Sequence, residues 1–427
     1  MTSRAFEARR ILADWRAGSI SRRQALCALG AVGIGASALS LMDGAAWADN
    51  QLLGPGGIPL ARPSYPVTLP LHEDPIRSGL QPETGGSFKL FNYPDYIDKK
   101  LINEFGKKYG VSMELTTFDS MDQAITRLAS RAVQPDVTDL SSERVAQAVA
   151  GKLIKPINHD YIPNLKRNIW PSLQSPFYDV GARYTVPYVV YSTGIGWRSD
   201  KIAEDVSKLD NPWSIFWNAQ KYAGYVGVLD DARESLAMAM LYRGQYDINT
   251  EDPAVIDQAL SDLKALIPIC NPKINITEYQ TLATGQSWLH QSWSGDLLAA
   301  FFTYLPPGDD GSHLQYWAPA TSKGPSQNDC WVILSTTTKP VLAHLWLNYL
   351  LDADVAYSNF VKFTGYQPPQ NSITPDSLIA NKVIPENLRT TIMTADAIGP
   401  HSLQEATLTP KGQKLWQAAY ARFNSGT

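Results

Sequence analysis

From residue 87 onward the apolar positions switch between two periods. SFKLFNY (87–93) alternates, as a half-buried strand does. YIDKKLINEFGKKY (96–109) sets Ile97, Leu101, Ile102 and Phe105 at helical spacing, and Gly110 follows where a helix ends in a left-handed residue. VSMELTTF (111–118) predicts a second strand, MDQAITRLASRA (121–132) a second helix, and DVTDLSS (136–142) a third strand. This β-α-β-α-β succession predicts a parallel sheet covered by helices. YTVPYVVYSTGIGW (184–197) is β-branched, aromatic, and long enough to leave one domain and enter another. Beyond it lie a strand ending in VLDD, helices at 232–242 and 253–266, a buried strand WVILST (331–336) and a buried helix AHLWLNYLL (343–351). The pattern predicts two α/β domains joined by more than one crossover, with a cleft between them of the kind that holds small ligands.

The first 86 residues lack this order. Arg22-Arg23 precede an uncharged run from Ala25 to Met42, and Ala46-Trp47-Ala48 follows. Paired arginines, an apolar run and an A-x-A site predict a twin-arginine export signal over 1–48. Cys27 sits beside the arginines with no apolar stretch before it, which argues against a lipoprotein cysteine. Residues 49–86 are rich in Pro and Gly and are expected to form an extended arm outside the core. Removing 1–48 takes the formal charge from −4 to about −7. An acidic exported chain with no basic run is an unlikely nucleic-acid binder, so no nucleic acid is expected as a partner. Two cysteines remain, Cys270 and Cys330; export permits a disulfide, and two buried thiols is the plainer alternative. The six histidines are scattered without H-E-x-x-H or C-x-x-C spacing, so neither a metal site nor a cofactor is expected.

Candidate chemistry sits where strands run into helices. In VLDDARE (228–234), Asp231 is placed to cap the helix from Ala232, and Glu234 falls at the reciprocal position of a capping box. The same acids lie at the carboxyl end of a strand, where open α/β sheets bind ligands. FNYPDY (91–96) offers Asp95 between Tyr93 and Tyr96, an arrangement that suits a cationic amine: rings attract the cation and the carboxylate supplies a charge-assisted hydrogen bond. QSWSGD (291–296) and TGYQP (364–368) are further clusters of this type.

Together these segments resemble the spermidine/putrescine-binding family of periplasmic solute-binding proteins. LDDARE is the most specific match; FNYPDYID, VPYVVYSTGIGW, SWSG and TGYQPPQN follow the family's order. The resemblance implies a two-lobed periplasmic-binding-protein fold with a hinge, divided as 87–194 plus about 329–380 and 195–328 plus about 381–427. It implies that Tyr93 and Tyr96 sandwich an alkyl-amine chain, that Trp293 forms another wall, that Asp95, Asp231 and Glu234 pair with ammonium groups, and that Tyr366 lines the cleft. Arg233 would orient the acids. The sequence departs from the family at Asp329-Cys330-Trp331, where acid and aromatic appear exchanged, and at Ser141–Arg144. There Glu143 replaces a tyrosine, either as a charge in the site or facing solvent. The implied function is capture of a di- or polyamine by a periplasmic, monomeric component of an ABC importer that delivers it to a membrane permease. One alternative is a zwitterionic amine such as 4-aminobutyrate, with Arg144 on its carboxylate. Another is a secreted enzyme acting on amines, against which stands the lack of a G-x-S-x-G elbow, zinc spacing or Walker loop.

Overall fold

In the computed structural model of the protein, residues 52–320 and 322–426 are described; the twin-arginine segment and Cys27 lie outside them. Residues from Gly54 onward pack as one unit. Its strands are β1 (Ser87–Asn92), β2 (Ser112–Thr117), β3 (Val137–Ser141), β4 (Ile154–Lys155), β5 (Thr185–Arg198), β6 (Val226–Leu229), β7 (Lys273–Asn275), β8 (Leu289–Trp293), β9 (Leu314–Trp317) and β10 (Ser326–Leu334). They are hydrogen-bonded in the order β2-β1-β3-β10-β5-β8-β6-β7, with β4 beside β10 and β9 beside β5. β1 pairs in parallel with β2 and β3, as the β-α-β-α-β pattern predicts.

β5 makes the sheet two-lobed. Its first half, from Thr185 to Ser192, pairs with β10 in the first lobe. Its second half pairs with β8 through Thr193–Trp197 and with β9 through Ile195–Arg198 in the second lobe. Gly194 allows the second half its close approach to β9: a Cβ there would lie 2.1 Å from the Trp317 carbonyl oxygen.

Local chemistry sets the helix ends. Helix α1 (Lys99–Tyr109) starts three residues later than predicted, because Asp98 accepts a hydrogen bond from the Lys100 amide; Gly110, at φ 66°, ends it. Ser120 caps α2 (Met121–Ala129). Helix α3 (Ala232–Tyr242) is buried on nearly every face from Arg233 to Leu241. Helix α4 (Pro253–Cys270) runs past its predicted end at 266, with Pro268 in its last turn. Helices α5 (Glu278–Ala283) and α6 (Ser294–Ala299) follow in the second lobe, α7 (Pro340–Leu350) covers the first, and α8 (Pro410–Asn424) packs on the second.

Each lobe's sheet has a core on both faces. In the first lobe, Phe88, Leu90, Trp331 and Trp346 share one face, while Phe91, Leu140, Cys330 and Val332 share the other. Ile58, Ala61, Val67 and Leu69 of the Pro/Gly-rich arm join that second face. The expectation that the arm lies outside the core is therefore corrected: its backbone has few regular elements, yet its apolar side chains are buried. In the second lobe, Phe360, Ile373, Leu378 and Leu388 pack with Leu282, Leu297 and Tyr316, while Tyr366, Met393 and Ile398 pack with the first-lobe core. Cys270 and Cys330 are both buried free thiols, one in each lobe's core, so they have no route to a bond. Among the described residues no helix is long and apolar enough to cross a membrane.

Candidate ligand-binding site

At the strand-to-helix junction of VLDDARE the two acids form different hydrogen bonds. Asp231 Oδ1 accepts hydrogen bonds from the amides of Arg233 (2.8 Å) and Glu234 (3.1 Å), capping α3. Glu234 does not complete a capping box. Its Oε1 instead accepts hydrogen bonds from the indole Nε1–H of Trp293 and the hydroxyl of Thr193, both at 2.8 Å. One carboxylate thus ties α3 to the end of β8 and to the crossing point of β5. Its other oxygen, Oε2, is buried with no hydrogen-bond partner. Burial pushes the Glu234 carboxyl up to about 7; Asp231 adds to the rise, and the Trp293 and Thr193 donors oppose it.

The first lobe supplies a second buried acid. Asp329, on β10, accepts the hydroxyl of Tyr96 at 2.6 Å and that of Tyr191 at 3.3 Å. Burial pushes it up to about 7 as well; the Tyr96 bond opposes the shift and Glu143 adds to it. The rings form a continuous row. Tyr96 meets Tyr93 at 5.7 Å and Tyr366 at 5.0 Å, while Tyr191 meets Tyr366 at 5.6 Å and Trp293 at 6.3 Å. Tyr366 lies flat against Gly295, where a Cβ would stand 2.5 Å from the ring. The glycine of SWSG is there because the tyrosine of TGYQ covers it.

Glu143 and Arg144 stand at the edge of this set. Glu143 accepts the Ser141 hydroxyl at 2.6 Å and pairs with Arg144 at 3.3 Å; Arg144 also pairs with Asp122 at 2.8 Å. Arg233 is spent internally, on Asn249, two backbone carbonyls and the face of Trp416.

Two of the predicted residues stand elsewhere. Asp95 is exposed in a left-handed turn at φ 53°, and its charge acts on Tyr279 and Tyr304. Trp331 is fully buried in the first-lobe core between Tyr188 and Trp346. Pairing opposite Asp139 takes it two positions deeper along the sheet than Asp329, below the ring row. The sequence reading missed Tyr191 and Thr193, which it treated only as parts of a crossing strand. It also missed Glu405, a buried acid whose charge is felt alongside Arg233, Glu234 and Asp231. Asp139 was missed too: it is fully buried with both oxygens unpartnered, and burial together with Asp329 holds it well above the usual carboxylate range. The signal for Asp139 was an acid inside a strand otherwise fit for burial on both faces. Among the described residues no group of three or more His, Cys, Asp or Glu is arranged to hold a metal ion.

A sequence model described as "Bacterial extracellular solute-binding protein" matches residues 100–385. The chain belongs to this family. It is 27% identical over 213 residues to the spermidine/putrescine-binding periplasmic protein 1 of Haemophilus influenzae, covering 49% of this chain and 58% of that protein. Against the putrescine/agmatine-binding protein of Pseudomonas aeruginosa it is 25% identical over 289 residues, 65% of this chain and 77% of that one. The match to the Haemophilus protein thus spans less than two thirds of that relative's length. Among solved structures, a putative spermidine/putrescine ABC transporter protein from Listeria monocytogenes superposes with a TM-score of 0.65 at 19% identity, over 79% of this chain and 98% of that one. At that identity the likeness is one of fold.

Proposed function

We propose that this protein captures a di- or polyamine between its lobes and delivers it to the permease of an ABC importer, from an extracytoplasmic position reached by the twin-arginine route. The carrying observation is Glu234. It is a buried carboxyl with one oxygen fixed by Trp293 and Thr193 and the other unpartnered, at the end of a row of rings. An ammonium group satisfies such an oxygen by a charge-assisted hydrogen bond, and its alkyl chain lies on the ring faces. Asp329, whose two oxygens accept from Tyr96 and Tyr191, is a second buried carboxyl, in the other lobe, that an ammonium group can neutralise. A ligand that pairs with both acids contacts both lobes, and this differential contact drives closure. The named ligands of the Haemophilus and Pseudomonas relatives agree with this class.

Arg144, the cation that a ligand carboxylate would need, is already paired with Glu143 and Asp122, which argues against a zwitterion. Binding needs no covalent step, and the acids have sufficient work as cation partners, so we read the protein as a carrier and not an enzyme. Calorimetric titration with putrescine, spermidine and 4-aminobutyrate tests this. One-to-one binding of the amines without turnover is the expected result. Binding of 4-aminobutyrate alone, lost in Arg144→Gln, would replace the amine reading with the zwitterion one.

A further inference from the structure

Arg144 is a first-lobe cation surrounded by acids of both lobes. It follows β3, and its side chain is only 12% exposed. Its Nη2 pairs with Asp122 of α2 at 2.8 Å and its Nε with Glu143 at 3.3 Å, both within the first lobe. The charges of Asp231 and Glu405 act on it as well. Those two acids belong to the second lobe: Asp231 caps α3, and Glu405 lies between Leu403 and Leu408, which pack on the second-lobe core. Burial lowers the Arg144 guanidinium, yet Glu143, Asp122, Asp231 and Glu405 together outweigh it and hold the group above its ordinary value.

The lobes touch beside this cation. Gln417 of α8 donates from Nε2 to Asp122 Oδ2 at 2.9 Å. Trp416, Ala419 and Phe423 fix α8 in the second-lobe core, while Met121, Ala124 and Ile125 fix α2 in the first. The Asp122 carboxylate therefore holds Arg144 of its own lobe with Oδ1 and Gln417 of the other with Oδ2. Next to it, the Thr407 hydroxyl donates to the Glu143 carbonyl at 2.7 Å. Asp122, Arg144 and Asp231 follow β2, β3 and β6, so they stand at the carboxyl ends of parallel strands, the edge at which open α/β sheets bind ligands.

We infer that Arg144 is a positioning residue: with Asp122 and Gln417 it clasps the two lobes, so that they come together before a ligand arrives and the ligand meets a partly assembled site. A ligand that needs both lobes gains affinity in proportion to the fraction of molecules already assembled. Separation returns the charged groups to water, which limits the pull, so the clasp biases the lobes and does not lock them.

Small-angle scattering without ligand, on the native protein, Arg144→Met, Arg144→Lys and Gln417→Glu, reads the arrangement of the lobes. Arg144→Met is expected to show a larger radius of gyration than the native protein, and Arg144→Lys, which keeps the charge, to lie between them. Gln417→Glu sets a second carboxylate against Asp122 and is expected to open the lobes too, an independent reading should Arg144→Met fold poorly. Calorimetry with spermidine adds a readout of opposite sign for the alternative, and this half rests on the amine-carrier reading above. Removing a positive charge beside Asp231 would by itself tighten an amine, whereas loss of the clasp is expected to weaken it about tenfold in Arg144→Met. Scattering unchanged in both Arg144→Met and Gln417→Glu, or tighter spermidine binding by Arg144→Met, would overturn the clasp and leave the carrier reading intact. Failure of spermidine to bind the native protein would remove the carrier reading, and scattering alone would then decide the clasp.

Discussion

Glu234 shows how one residue serves differently from its neighbour despite a shared motif. Asp231 spends its oxygen on backbone amides, whereas Glu234 spends one on Trp293 and Thr193 and keeps the other. Glu234→Gln is therefore expected to weaken amine binding by about 2 kcal/mol or more, roughly thirtyfold, with the melting temperature little changed. Isothermal calorimetry beside a melting curve checks both halves. Trp331→Ala separates the two roles in the opposite direction: it should cost about 3–5 kcal/mol of stability through an unfilled core and leave no specific mark on ligand selectivity. Denaturant unfolding measures the first, and the ratio of amine affinities the second. The pH dependence follows from Glu234 and Asp329, both pushed up to about 7 in the folded protein. Their unfolded values lie near 4, so the folded state holds extra protons between about pH 4 and 7, and their contribution to stability falls as pH rises through that window. Ammonium binding needs the charged forms, so affinity runs the other way. It should fall roughly tenfold per group for each unit below pH 7, a slope readable from titrations at pH 5.5, 6.5 and 7.5.

At the level of elements, β5 is the piece on which both sheets depend. Gly194, one residue past Thr193, faces the Trp317 carbonyl so closely that any side chain forces β9 away. Gly194→Ala is expected to destabilise the protein by about 1–3 kcal/mol and to weaken amine binding, since Thr193 shifts with the strand. Chemical denaturation together with calorimetry tests this, and an unchanged midpoint would show that β9 yields without cost. The helical periods of α1 and α2 were legible in the sequence because each buries one face and exposes another, and β1 through its alternation up to Leu90. Helix α3 was legible through its cap but not its orientation, because it is buried nearly all round and has no polar side to point outward.

Across the whole molecule, the lobes also touch through Thr407. The Thr407 hydroxyl donates to the Glu143 carbonyl at 2.7 Å, and Arg62 of the arm donates to the Thr407 carbonyl at 3.0 Å. The arm, anchored in the first lobe by Ile58 and Leu69, thus reaches a segment of the second. Thr407→Val removes one bond of this contact and is expected to lower amine affinity about fivefold, the equivalent of roughly 1 kcal/mol for one hydrogen bond between the lobes. Calorimetry on this variant and on Glu234→Gln together would show additive losses if the contact acts on closure and not on the site.

The sequence by itself determined the α/β class, the crossing strand, the capping role of Asp231, and the segments from which most of the ring row is drawn. Those features are local: a period, a cap or a short motif is written in consecutive residues. Only the tertiary structure decided that Asp95 is exposed in its turn, that Trp331 belongs to the core, that the arm's apolar residues are buried, that Tyr191 joins the rings, and that Asp139, Glu278, Asp296 and Glu405 are buried. Burial and the company of distant charges depend on how strands far apart in sequence are brought side by side, and no local pattern encodes that.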